Sequence, residues 1–282
     1  MECSTGFHVH LGHKHGWNLL QVKRFVTLWV LVEPILIHLH RKDRIAMAKW
    51  CRKLEEGTCL GQALFHADRN VRYRQAGCTP RSSPAERARN RENMAANCEI
   101  SGADARKREF LHNVWHYTTI SELTDALAGG EDEENDFARP SIRVRIRGYK
   151  KSENPTVNSP GTIEVRTMHG TLDADHILQW LVVLQKMLDL SRNATAEVFK
   201  GTTGLMVRAL NRTDQRVYHV LLGLQIHPRT VHYFMSETNR VGDNTRDQDW
   251  WVYPDVDKVD WLEPFMVPGH SATHGAQYNV PV

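Results

Sequence analysis

Four residues in two short segments have the types and spacing that suit chemistry: His8 and His10 in Gly6-Phe7-His8-Val9-His10-Leu11-Gly12, and Glu164 and Arg166 in Thr162-Ile163-Glu164-Val165-Arg166. Within a strand, residues i and i+2 point to the same face. His8 and His10 therefore share a face, with Phe7, Val9 and Leu11 behind them. Glu164 and Arg166 share another, backed by Ile163 and Val165. Imidazoles and carboxylates ligate metals, and a guanidinium grips anions, so two such strands would form a floor for a metal and an anion. Each pair also has a plainer reading. Glu164–Arg166 reads equally as an ion pair on a half-exposed sheet, an interaction worth little. The run His8, His10, His13 and His15 reads as a zinc site or, in a chain with 16 histidines, as surface imidazoles.

Several elements must position these residues. Ser141 to Arg147 alternates strictly and predicts a strand, with Arg143, Arg145 and Arg147 as a solvated face rather than the lining of an anion cavity. It pairs with the strand from Thr162 to Thr167 as an antiparallel hairpin with a long loop. Asp173 reads as the cap of a helix whose stripe is Ile177, Trp180, Leu181, Leu184 and Leu188, and not as a catalytic base. Phe25, Leu28, Trp29, Val32, Ile35, Leu36 and Leu39 recur at helical steps and predict an amphipathic core helix. Asn18 would cap it, Lys23 and Arg24 would lie on its exposed side, and Pro34 would kink it or end it early. The apolar run Phe25–Leu39 falls short of the roughly 20 residues that cross a bilayer.

Between these elements the sequence is more polar. Residues 41–58 carry Arg41, Lys42 and Arg44, and residues 77–109 read as an exposed insertion, part flexible loop and part polar helix. Leu111 to Ala128 returns to helical spacing with Ser121 as a cap, and Gly129-Gly130 stops it. The domain expectation is one domain over 1–239, with the insertion at about 77–109 inside it, and an irregular tail over 240–282.

At 282 residues, 41% hydrophobic and 24% charged, the composition is that of a globular protein. A net charge of +3 is too small to argue for nucleic acid, and no segment argues for a membrane. Five cysteines without a C-x-x-C spacing read as reduced thiols, which makes the cytoplasm the expected location.

Together, the Gly6–Gly12 strand, the apolar helix ending in Glu33-Pro34, the basic stretch Arg41–Arg44 and the run from Ile163 to Asp173 resemble the carboxylate–amine ligase superfamily with the glutamine synthetase fold. The closest likeness is to its fungal amidoligase branch, over roughly residues 3–50 and 140–190. The resemblance implies an α+β fold, with a curved antiparallel-rich sheet backed by helices at about 17–40 and 173–190. It implies ATP with magnesium or manganese, His8 and Glu164 as metal ligands, and His10 towards the nucleotide. Arg166 would contact phosphoryl oxygens, with Glu164 and Arg166 as the catalytic pair. The substrates would be small-molecule or peptide carboxylates and amines, activated as an acyl phosphate because amide formation in water is uphill.

The superfamily takes further metal carboxylates from an E-x-E strand ahead of the H-x-H strand. Only a few residues precede His8, so the expectation is an N-terminally incomplete fold with an exposed sheet edge that invites self-association. Two alternatives stay open: a zinc hydrolase built on the H-x-H strand, and a non-catalytic remnant of the ligase fold. A shared site requires His8 and Glu164 to face the same side within about 12 Å.

Overall fold

A computed structural model describes residues 6–12, 14–40, 51–65, 78–129, 139–146, 161–168, 170–171 and 173–242, with side chains to residue 236. Contacts divide the chain between Ser236 and Glu237, and the elements below belong to the first unit except where the last helix runs past it. Arg41, Lys42, Arg44, His13, Arg147, the acidic run from Glu131 and the tail beyond Gly242 lie outside the described residues.

The described fold is α+β, mostly helix with a small sheet. In chain order the elements are β1 (Val9–Gly12), α1 (Leu19–Leu36), α2 (Leu54–Gly57), α3 (Cys59–Phe65), α4 (Pro84–Asn97), α5 (Ala105–His116) and α6 (Ile120–Ala126). There follow β2 (Ile142–Arg145), β3 (Thr162–Val165), α7 (Ala174–Asn193), α8 (Ala196–Leu210), α9 (Arg216–Gly223) and α10 (Pro228–Gly242). The three strands form one antiparallel sheet in the order β1-β3-β2, which includes the expected pairing of β2 with β3. Val9 faces Val165, His10 faces Glu164 and Leu11 faces Ile163 across the first pair. Alternation then sends Val9, Leu11, Ile142, Val144, Ile163 and Val165 into one hydrophobic core shared with residues of α1 and α7. Gly161 feeds β3 with φ +75, where an added Cβ would lie 2.8 Å from the Ile146 Cα, so only glycine fits that entry.

The α1 helix starts where the sequence indicates. The Asn18 side chain accepts from the Gln21 amide, and Gln21 returns the bond to the Asn18 amide. Pro34 sits in the last turn, after which Ile37–Leu39 tightens into a 3₁₀ turn. The amphipathic expectation fails, because α1 is buried around its whole circumference from Val22 to Val32. Lys23 and Arg24 are buried with it instead of lying on an exposed side. Each survives burial by pairing: Lys23 Nζ donates to the Trp115 carbonyl at 2.7 Å, and Arg24 donates to Asn97 Oδ1 and the Ala194 carbonyl. Burial still pulls the Lys23 pKa down to about 8.

Other expectations shift in detail. The region after residue 77 does contain a polar helix, α4, capped by Ser83 with Glu86. Yet Met94, Asn97, Cys98 and Ile100 are buried, so this segment is built into the core. The stretch from Leu111 to Ala128 is the end of one helix and a second short one, capped by Thr119 rather than Ser121. Asp173 does cap α7, accepting from the His176 amide at 3.0 Å. On α7, Trp180 and Leu184 are fully buried while Leu181 faces out. No described helix is long and apolar enough to cross a membrane.

Glu33, near the end of α1, is buried as well. Burial pushes its carboxyl up to about 7, against hydrogen bonds from Ser141, Leu54 and Trp29, and the nearby Glu55 adds to the rise. Between the ordinary value of 4.5 and about 7, the folded chain holds a proton that the unfolded chain has lost, so stability falls as pH rises through that window. Glu33→Gln removes this dependence. Urea unfolding at about pH 5 and about pH 8 is expected to show wild type losing on the order of 3 kcal/mol relative to the variant.

Candidate functional site

The polar face of the sheet gathers the residues that the sequence singles out. Glu164 occupies the middle of the central strand, with His10 opposite on β1 and Arg143 opposite on β2. Its side chain is 3% exposed and that of Arg166 is 11%, which sets this pair apart from a solvated surface ion pair. Arg166 directs both Nε and a terminal nitrogen to Glu164 Oε1, each at 2.9 Å. His8 Nδ1 approaches the same oxygen at 3.1 Å. Arg145 Nε lies 2.9 Å from Oε2, but off the hydrogen-bonding direction, so it is a charge contact. His10 Nδ1 lies 3.2 Å from the Thr162 hydroxyl. His8 and Glu164 thus touch, well inside the distance that a shared site requires.

The electrostatics follow from this crowding. Burial raises the Glu164 carboxyl, but the hydrogen bond and charge of Arg166, then the charges of Arg145 and His8, outweigh it and hold the group below its ordinary value. Burial lowers the Arg143 pKa, and the positive charges of Arg145 and Arg166 lower it further. Among the described residues, one carboxylate thus faces three guanidiniums, an excess of positive charge. No protein-family model, curated protein or solved structure matches this chain.

A divalent cation does not fit the described residues. Glu164 Oε1 is taken by Arg166 and His8, and a metal at Oε2 would have to displace Arg145. Among the described residues no group of three His, Cys, Asp or Glu side chains could hold an ion. His15 is described and His13 is not, and the described histidines do not make a zinc cluster.

The sequence reading missed the part played by β2. Arg145 is not merely solvated: its guanidinium meets Glu164. The signal was present in the alternation from Ile142 to Arg145 next to Thr162–Val165. Only the register of the pair tells which arginine meets which carboxylate.

Glu164→Gln leaves the arginines facing a neutral amide. Because the carboxyl is held below its ordinary value, the stability it contributes is present above 4.5 and is lost as pH falls through its folded value. Denaturant unfolding is expected to show a loss of roughly 1–3 kcal/mol at neutral pH that shrinks as pH falls below 4.5.

Proposed function

We propose that the polar sheet face holds the anionic end of a substrate, and that the protein is an ATP-dependent carboxylate–amine ligase of the glutamine synthetase-like type. One arrangement supports this reading: Arg143, Arg145 and Arg166 surround a single buried carboxylate, with His8 and His10 on the same face. A planar guanidinium suits phosphoryl and carboxylate oxygens because it offers paired donors at fixed geometry.

Amide formation needs an activated carboxylate, and ATP as co-substrate supplies the phosphoryl group. The chain's own contribution is charge and position. Arg166 is clamped by Glu164, so its cation stays in place as negative charge develops on a transferring group. The magnesium or manganese implied by the resemblance does not fit the described residues, and the arginines take over the screening of the anion. Glu164 also holds His8 through Nδ1 at 3.1 Å, which keeps an imidazole beside the arginines on the same face.

A second reading is a non-catalytic relative of the same fold that binds an anion without transferring it. It is favoured by the engagement of Glu164 Oε1 with Arg166 and His8 and by the Arg145 cation against Oε2, which a metal would have to displace. The zinc hydrolase reading has no such support, since the sheet is antiparallel and no three-ligand group is found among the described residues.

Thermal shift and calorimetry with ATP, pyrophosphate and sulfate test the anion site. ADP release with hydroxylamine and a panel of amino-acid carboxylates tests transfer. Arg166→Lys keeps the charge and loses the fork, so ADP release should drop about a hundredfold while ATP affinity changes little. Binding without ADP release would select the non-catalytic reading. No response to any of the three anions would remove the anion site itself.

A further inference from the structure

The arginine face is held from behind by a buried polar junction that the proposed chemistry does not use. Its centre is Ser141, fully buried at the entry to β2. The Ser141 hydroxyl accepts from Trp29 Nε1 at 2.9 Å and bonds to the Glu33 carboxylate. Its amide donates to the Arg52 carbonyl at 2.8 Å, and its carbonyl accepts from the Arg166 amide at 2.8 Å. Glu33 also accepts from the Leu54 amide at 3.1 Å, two residues beyond Arg52. Thus α1, the segment before α2, the start of β2 and the end of β3 meet at one serine and one carboxyl.

We infer that Glu33 is a positioning residue for the arginine face, acting through Ser141 on the backbone that carries Arg166. The reasoning is mechanical. Arg166 follows the last residue of β3, where the strand ladder has ended, so the bond from its amide to Ser141 is what extends the pairing to it. Ser141 in turn precedes the first residue of β2, the strand from which Arg143 and Arg145 project. Glu33 and Trp29 fix the rotamer of Ser141 from the central helix, and Leu54 and Arg52 brace it from the other side. A carboxyl buried among apolar side chains is costly unless bonded, so this one is retained where it orders two strands at once. The groups facing it are the Leu54 amide, the Ser141 hydroxyl, the Trp29 indole and the Glu55 carboxyl, itself paired with Lys107 at 3.4 Å.

The inference rests on the anion-binding reading for its effect on ligands, and on geometry alone for its effect on Arg166. Two readouts keep these apart: sulfate affinity by calorimetry, and the Arg166 Nε–Hε resonance by NMR. Glu33→Leu and Ser141→Ala are expected to weaken sulfate binding roughly tenfold and to shift or broaden that resonance. Glu33→Gln keeps an oxygen for Leu54 and Ser141, and should stay within about twofold of wild type. Val32→Ala is the control, a cavity on the same helix that lowers the melting temperature and removes no hydrogen bond at Ser141 or Glu33. It should leave both readouts unchanged.

If Glu33→Leu matches wild type in both readouts, or Val32→Ala disturbs them equally, the positioning role is wrong. If wild type binds no sulfate, the anion reading fails instead, and the resonance alone decides the role of Glu33.

Discussion

The structure depends on one constraint, the burial of α1 on every side. A helix in that position has no solvent face on which to place a charge, so each polar side chain must be satisfied by another element. Lys23 reaches the end of α5, Arg24 reaches α4 and the α7–α8 junction, and Glu33 reaches α2 and the entry to β2. These bonds are directional, whereas the surrounding contacts of Phe25, Trp29 and Leu31 are not. The apolar side chains supply most of the burial, and the three charged ones decide which element sits where.

A similar logic orders the sheet. Its inner face is uniformly apolar and would tolerate several arrangements by itself. Among the described residues its outer face carries one carboxylate and three guanidiniums, and the acid sits on the central strand within reach of both neighbours. The excess of positive charge is what a structural ion pair would avoid and what a binding face for an anion requires.

Much of this was legible in the sequence, because it rests on local rules. The alternation in Val9–Gly12 and Ile142–Arg145, the caps at Asn18 and Asp173, and the shared face of Glu164 and Arg166 follow from spacing alone. What spacing could not show was the environment. The apolar period of α1 is that of an amphipathic helix, and only the packing of α5, α7, α8 and α9 around it turns Lys23 and Arg24 inward. The contact of Arg145 with Glu164 needed a strand register, and the junction at Ser141 needed four segments far apart in the chain. Leu181 shows the opposite error, an apolar residue in a plausible stripe that faces out.

The strands β1 and β3 carry partners separated by 152 residues, as in the contact of His10 with Thr162. Pairing of that kind closes a very long loop, and its entropy must be spent before any hydrogen bond repays it. The helical body closes loops that are as long, as in the bond from Arg24 of α1 to the Ala194 carbonyl, 170 residues on. Neither the helical body nor the sheet can close until segments far apart in the chain have met. A chain that has formed its β2–β3 hairpin but not yet brought β1 to it still lacks His8 and His10 on this face, so the face is complete only when the fold is.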